Sequence, residues 1–121
     1  MIGAIPIWET AQTINTTAVL TSEPISQTQL AGFGAFLVIV TGTTPSLDIT
    51  CEVSMSTTNT FYTPYDVYGT SLGEIATTLD ATRWTFFPVP LGPYIRFVIT
   101  GDVSNGADTT VKAWFIAQEK V

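Results

Sequence analysis

The sequence predicts an all-β domain, an antiparallel β-sandwich of jelly-roll type with eight or nine strands, and three observations carry that expectation. Threonine, a β-branched residue suited to a pleated, half-exposed surface, occurs 22 times in 121 residues. The stretch LDITCEVSMS alternates, with Leu47, Ile49, Cys51, Val53 and Met55 on one side and Asp48, Thr50, Glu52, Ser54 and Ser56 on the other, which is the period of a half-buried strand. Breakers recur at short intervals in TGTTPS, STTNT, YGTSLG, VPLGP and GDVSNGAD, where Gly and Asn tolerate positive φ and Pro presets a bend.

In chain order, the first strand is expected over Ile5 to Glu9. Pro6 lacks the N–H that a central strand needs, so residues 1–10 read as an extended N-terminal arm reaching a neighbouring subunit. Thr13 to Thr21 follows as a β-branched run. GFGAFLVIV, from Gly32 to Val40, is about half the ~20 residues a membrane-spanning helix needs and reads as a buried strand over Ala35 to Gly42. Leu47 to Ser56 is the alternating strand, and Phe61 to Pro64 a short one. SLGEIATTLDA has apolar residues at helical spacing, Leu72, Ile75, Ala76 and Leu79. Its glycine and two threonines disfavour a helix, so a strand is expected over Glu74 to Leu79. Arg83 to Pro88, Tyr94 to Gly101 and Thr109 to Gln118 complete the set.

The last two strands are apolar on both sides. Ile95, Phe97 and Ile99 oppose Tyr94, Arg96, Val98 and Thr100, while Val111, Ala113, Phe115 and Ala117 oppose Lys112, Trp114, Ile116 and Gln118. A sheet that covers a core on one face normally solvates the other, so this pattern points to burial against a loop of the same chain or another subunit, and another subunit is the favoured reading.

At 13.0 kDa the chain reads as a single domain over residues 1–121, with no repeat and no linker. Hydrophobic residues make up 45% and charged residues 12%, and the net charge is −6, so uncharged polar side chains cover much of the surface. Arg83, Arg96, Lys112 and Lys120 are scattered, which disfavours nucleic acid and anionic membrane surfaces. No signal peptide is read at MIGAIPIWE, which has neither a basic leader nor a long apolar segment.

Histidine is absent, which removes imidazole-based triads and metal sites, and the single cysteine, Cys51, falls on an apolar strand face with no base beside it. Carboxylate pairs are the remaining catalytic option. Asp48 and Glu52 lie on a solvent face, and Asp80, Asp102 and Asp108 lie at turns, ordinary places for solubilising acids. Asp102, Ser104, Asn105 and Asp108 are oxygen donors of the kind calcium takes. Their spacing is not that of an EF-hand, and a hairpin loop wants the same residues for conformation. No enzymatic activity, cofactor or metal is expected. Asn15-Thr16-Thr17 matches a glycosylation sequon, read as chance in a Thr-rich chain. Among the aromatics, Tyr62, Tyr65, Tyr68 and Trp84 form a candidate stacking platform for sugar rings, and carbohydrate binding is the alternative function.

The runs LDITCEVSMSTTNTFYTP and PLGPYIRFVITGDVSNGADTTVKAWFIA resemble small all-β virion proteins of tailed bacteriophages, in particular head decoration and capsid-stabilising proteins. The likeness lies in a strand entering an S…TNxWY turn, with Phe61 here in place of tryptophan, and in a PYIRF…TG strand leading through a polar loop to a VxAWF strand. It covers about Leu47 to Ala117. The resemblance implies a jelly-roll subunit on the capsid exterior, made in the host cytoplasm, binding the major capsid protein and its own copies as a dimer or trimer. Ile5, Ile7 and Trp8 in the arm, with Trp114 and Ile116 on the last strand, are the candidate contact residues.

Overall fold

The computed structural model describes residues 2–15, 18–28, 30–89 and 92–119. It is an antiparallel β-sandwich of nine strands: β1 (Ile2–Thr13), β2 (Val19–Thr21), β3 (Ile25–Ser26), β4 (Leu30–Thr41), β5 (Leu47–Ser54), β6 (Glu74–Leu79), β7 (Arg83–Pro88), β8 (Tyr94–Gly101) and β9 (Thr110–Glu119). One sheet runs β1-β9-β4-β7, and the other β2-β8-β5-β6 with β3 also on β8. If the two short strands on β8 are taken as one interrupted strand, eight strands form two four-stranded sheets in the interleaved order of a jelly roll. No described helix is long and apolar enough to cross a membrane.

Alternation decides what each strand buries. Ile95, Phe97 and Ile99 of β8, Leu47, Ile49 and Cys51 of β5, and Val111, Ala113 and Phe115 of β9 are all essentially inaccessible to water. Phe97 is the hub between the sheets, with ring centroids 4.8 Å from Phe36 and 5.0 Å from Phe115, and Phe87 closes the cluster at 6.1 Å from Phe115. Offset and tilted aromatic pairs at these distances add to the burial of large apolar rings. Gly34 marks a bulge in β4, where a side-chain carbon would sit 2.8 Å from both Phe115 Cε1 and Val89 Cγ2.

Three expectations are corrected. The N-terminal segment is not a free arm: β1 lies in antiparallel register along β9, from Ile2 opposite Gln118 to Thr13 opposite Thr110. Pro6 is accommodated because β1 is an edge strand, where a missing N–H costs no ladder bond. Thr13 to Thr21 is not one strand either. Ile14 dives into the core, fully buried, with its N–H donated to Thr109 O at 2.9 Å, as the chain leaves one sheet for the other. Phe61 to Pro64 makes a single bridge, Tyr62 exchanging two backbone hydrogen bonds with Val53, in place of a strand. Thr16 and Thr17 of the sequon lie outside the described residues.

Candidate functional site

The outer face of the four-stranded sheet is assembled by register. Residues directly opposite in neighbouring strands share a face, so Pro6, Trp114, Leu37 and Trp84 form one row across all four strands. The next row is Ala4, Ile116, Ala35 and Phe86. Beyond it stand Gln118, Phe33 and Pro88, and on the other side Lys112 beside Ile39. The two central rows contain no polar side chain. Phe33 is 73% exposed, Phe86 76% and Trp84 48%. Lys112 is a charged side chain at the edge of this face, Glu9 is exposed on β1 next to Trp8, and Thr41 and Thr110, hydroxyls 2.5 Å apart, form a polar margin beyond Lys112.

The face has relief as well as chemistry. Trp114, Leu37 and Trp84 stand as a ridge, while Ala35 lies at the bottom of a hollow of about 210 Å³ walled by Phe33, Phe86 and Ile116. Trp84 and Phe86 pack with ring centroids 6.1 Å apart, so the ridge continues along β7. An apolar centre with a polar margin is the layout of a protein–protein contact.

The other sheet presents the opposite chemistry. Its outer face pairs Glu52 with Arg96, an ion pair at 2.8 Å in which the guanidinium also lies 4.1 Å above the Phe61 ring. Thr50 stands opposite Val98 and Asp48 opposite Thr100. The Asp48 carboxylate accepts the N–H of Thr78 at 3.0 Å, holding that residue at a positive φ of 47° where β6 shifts register against β5.

The expected site residues separate into three places. Trp114 and Ile116 lie on the apolar face, half-buried. Ile5, Ile7 and Trp8 are half-buried, packed against their own core. A bulge between Pro6 and Trp8 is the cause, because it brings Trp8 opposite the inward-facing Ala113. Tyr62, Tyr65 and Tyr68 are exposed on the segment between β5 and β6, built around Asp66, whose Oδ1 accepts the N–H groups of Tyr68 at 2.8 Å and Thr70 at 2.9 Å. Trp84 does not join them, since it stands on the outer face of the opposite sheet. Tyr62 instead shares a cleft of about 450 Å³ with Met55, Thr58, Asn59 and Thr60. Leu37, Ala35 and Phe33 are the face residues that sequence reasoning misses. Nothing in the unbroken run GFGAFLVIV says which of its residues face outward, although Trp84 and Phe86 are legible from alternation in RWTFFP.

Several polar and ionisable groups are engaged in structural contacts. Burial pushes the Cys51 thiol up to about 12. Asp102 accepts the hydroxyl and N–H of Ser104, and Asp108 those of Thr43; these hydrogen bonds hold both carboxyls below their ordinary value. Asn105 is buried, accepting the Ser46 N–H at 2.6 Å and donating to Ile14 O at 2.9 Å. The polar loop thus ties the ends of several strands together, and among the described residues no three acidic, cysteine or histidine side chains cluster as metal ligands.

No protein-family model matches the sequence, and no curated protein matches it. Solved structures do. A structure of the Gx strain of infectious bursal disease virus matches with a TM-score of 0.57 at 11% identity, covering 97% of this chain and 31% of that one. A mutant VP2 protein of the same virus, in derived T=1 particles, matches with 0.55 at 13% identity and the same coverage. The C-terminal CBM6 of LamC, a marine laminarinase from Zobellia galactanivorans, matches with 0.52 at 12% identity, over 96% of this chain and all of that module. The chain therefore spans about a third of the virus proteins (31%) and the whole of the carbohydrate-binding module. At such identities the likeness is one of fold: this is a jelly-roll-like β-sandwich of the kind found both in virus-particle proteins and in a carbohydrate-binding module.

Proposed function

We propose that the chain is a non-enzymatic structural protein of a virion, a capsid decoration or stabilising subunit that works by adhesion on the particle exterior. The observation that carries this reading is the apolar outer face of the four-stranded sheet, with Phe33, Phe86 and Trp84 exposed to water. A monomer in isolation gains nothing from that arrangement, and a subunit that meets neighbours gains contact area. The jelly-roll fold shared with a protein of T=1 particles supports it, as does the resemblance of Leu47 to Ala117 to phage head proteins. The non-enzymatic part rests on the absence of histidine, the buried high-pKa thiol and the loop acids bound to local donors. A subunit that binds the assembled shell and not its dissociated parts stabilises the shell by mass action.

The test is compositional and mechanical. Purified particles should contain the chain in fixed stoichiometry with the major capsid protein, and particles lacking it should rupture at lower temperature. Absence of the chain from the particle, or an unchanged rupture temperature, contradicts the proposal.

Carbohydrate binding is the second reading, favoured by Tyr62 beside Asn59 and two threonines in one cleft and by the fold shared with a CBM6 module. Glycan binding that is lost in Tyr62→Ala supports it. No binding across a glycan panel removes it.

A further inference from the structure

We infer that the apolar sheet face is covered by a second copy of this chain, packed face to face about a two-fold axis that runs across the strands between the two central rows. The inference rests on the adhesive reading above and names the partner of that surface. Such an axis sets each row of one copy over the other row of its mate. Leu37 then lies over Ala35, so the ridge of each copy enters the hollow of the other. Trp84 meets Phe86 on the neighbouring edge, and Lys112 meets Gln118, polar over polar at the margin. Leu37 over Ala35 sets large over small and Lys112 over Gln118 polar over polar, each in both directions, as an isologous contact requires. The two sheets would stack in aligned fashion, at the spacing of ordinary sandwich layers.

Size and charge favour the same occupant. Four strands about 4.8 Å apart, taken over the two central rows and half of each flanking row at about 6.8 Å per row, outline roughly 400 Å² of flat face per copy. With side-chain relief adding roughly half as much again, the pair buries about 1,200 Å², the lower limit of stable interfaces. The chain carries −6, which ordinarily opposes self-association. Here the two central rows hold no acid, and Asp48 and Glu52 sit on the far sheet. In the stacked pair those two acidic surfaces stand about three layer spacings apart, roughly 30 Å, against a Debye length of about 8 Å at physiological salt. A strongly basic partner would find no carboxylate in the two central rows, and an acidic one would find Lys112 at their edge.

Sedimentation equilibrium on the purified chain tests this. The expected mass is twice 13.0 kDa at high concentration, dissociating on dilution. Phe86→Glu and Trp84→Lys alone should each be monomeric with unchanged circular dichroism. Mixing the two variants should restore a heterodimer, because the ammonium introduced at position 84 of one copy then meets the carboxylate introduced at position 86 of the other. Tyr68→Glu, on the tyrosine segment, should leave the dimer intact. A wild-type chain that stays at 13.0 kDa at its highest soluble concentration, a trimer, or a dimer indifferent to Phe86→Glu overturns the inference. If the chain is monomeric yet Phe86→Glu no longer attaches to particles, the capsid covers the face: the adhesive reading survives and the dimer does not. A Phe86-dependent dimer of a chain absent from particles does the reverse, upholding the pairing of copies and removing the virion role.

Discussion

Phe86 and Phe87 are neighbours in sequence and do opposite work, and substituting them one at a time separates folding from association. Phe87 points inward with 8% exposure, its ring 6.1 Å from Phe115 and 6.3 Å from Phe97. Truncating a buried phenylalanine to alanine costs about 3–5 kcal/mol, and the lower end applies on the edge strand β7, where the sheet can partly collapse into the space. At about 4 °C per kcal/mol for a chain of this length, Phe87→Ala should lower the melting temperature by about 12 °C. Phe86 points outward with 76% exposure and touches little beyond Trp84. Phe86→Glu should change monomer stability by less than about 0.5 kcal/mol while abolishing association. Tryptophan fluorescence melts at submicromolar concentration, where association no longer raises the apparent stability, read the first effect, and sedimentation reads the second. Equal destabilisation by the two substitutions, or association that survives Phe86→Glu, refutes the assignment of one aromatic to the core and the other to the contact face.

Three further outcomes follow from the same geometry. Trp8→Ala should cost about 2 kcal/mol, part of the full value for a buried tryptophan because the indole is half-buried, read as a lower urea midpoint, and it should leave the mass in solution unchanged once refolded. The carboxyls of Asp102 and Asp108 sit below their ordinary 3.8 in the folded chain, so their hydrogen bonds favour the native state above that pH and are lost as pH falls through the depressed folded values. The melting temperature should therefore drop on acidification below about pH 4, and Asp108→Asn should flatten part of that drop. Cys51, with its thiol raised to about 12 by burial, should resist alkylation at pH 8 in the native chain and react at once in denaturant; fast native labelling would mean that the core opens.

β5, β8 and β9 are legible because their residues alternate, the period of a half-buried strand. β8 and β9 match the expected inward sets, down to Val111, Ala113, Phe115 and Ala117, and β5 matches through Cys51, after which Ser54 is buried and Met55 exposed, the reverse of the expectation. The first third is less legible for physical reasons. In β1 an apolar residue falls on both sides of Pro6, and a bulge reverses the alternation before Trp8, so sequence alone places Ile5, Ile7 and Trp8 on an arm when they cover the core. β4 is apolar throughout, and its outward residues emerge only from its register with β9 and β7. The contact face is thus half visible: Trp114 and Ile116 announce it, and Leu37, Ala35 and Phe33 need the pairing. Nearness in sequence groups Trp84 with the tyrosines, whereas the chain crosses from one sheet to the other between β6 and β7.

The most direct measurement is hydroxyl-radical footprinting of the chain within the particle or complex that contains it, compared with the isolated, dilute protein. The adhesive account predicts strong protection of Phe33, Trp84 and Phe86 on assembly, with Tyr68 labelled as in the free chain. Undiminished labelling of those three residues in the assembled state would contradict it.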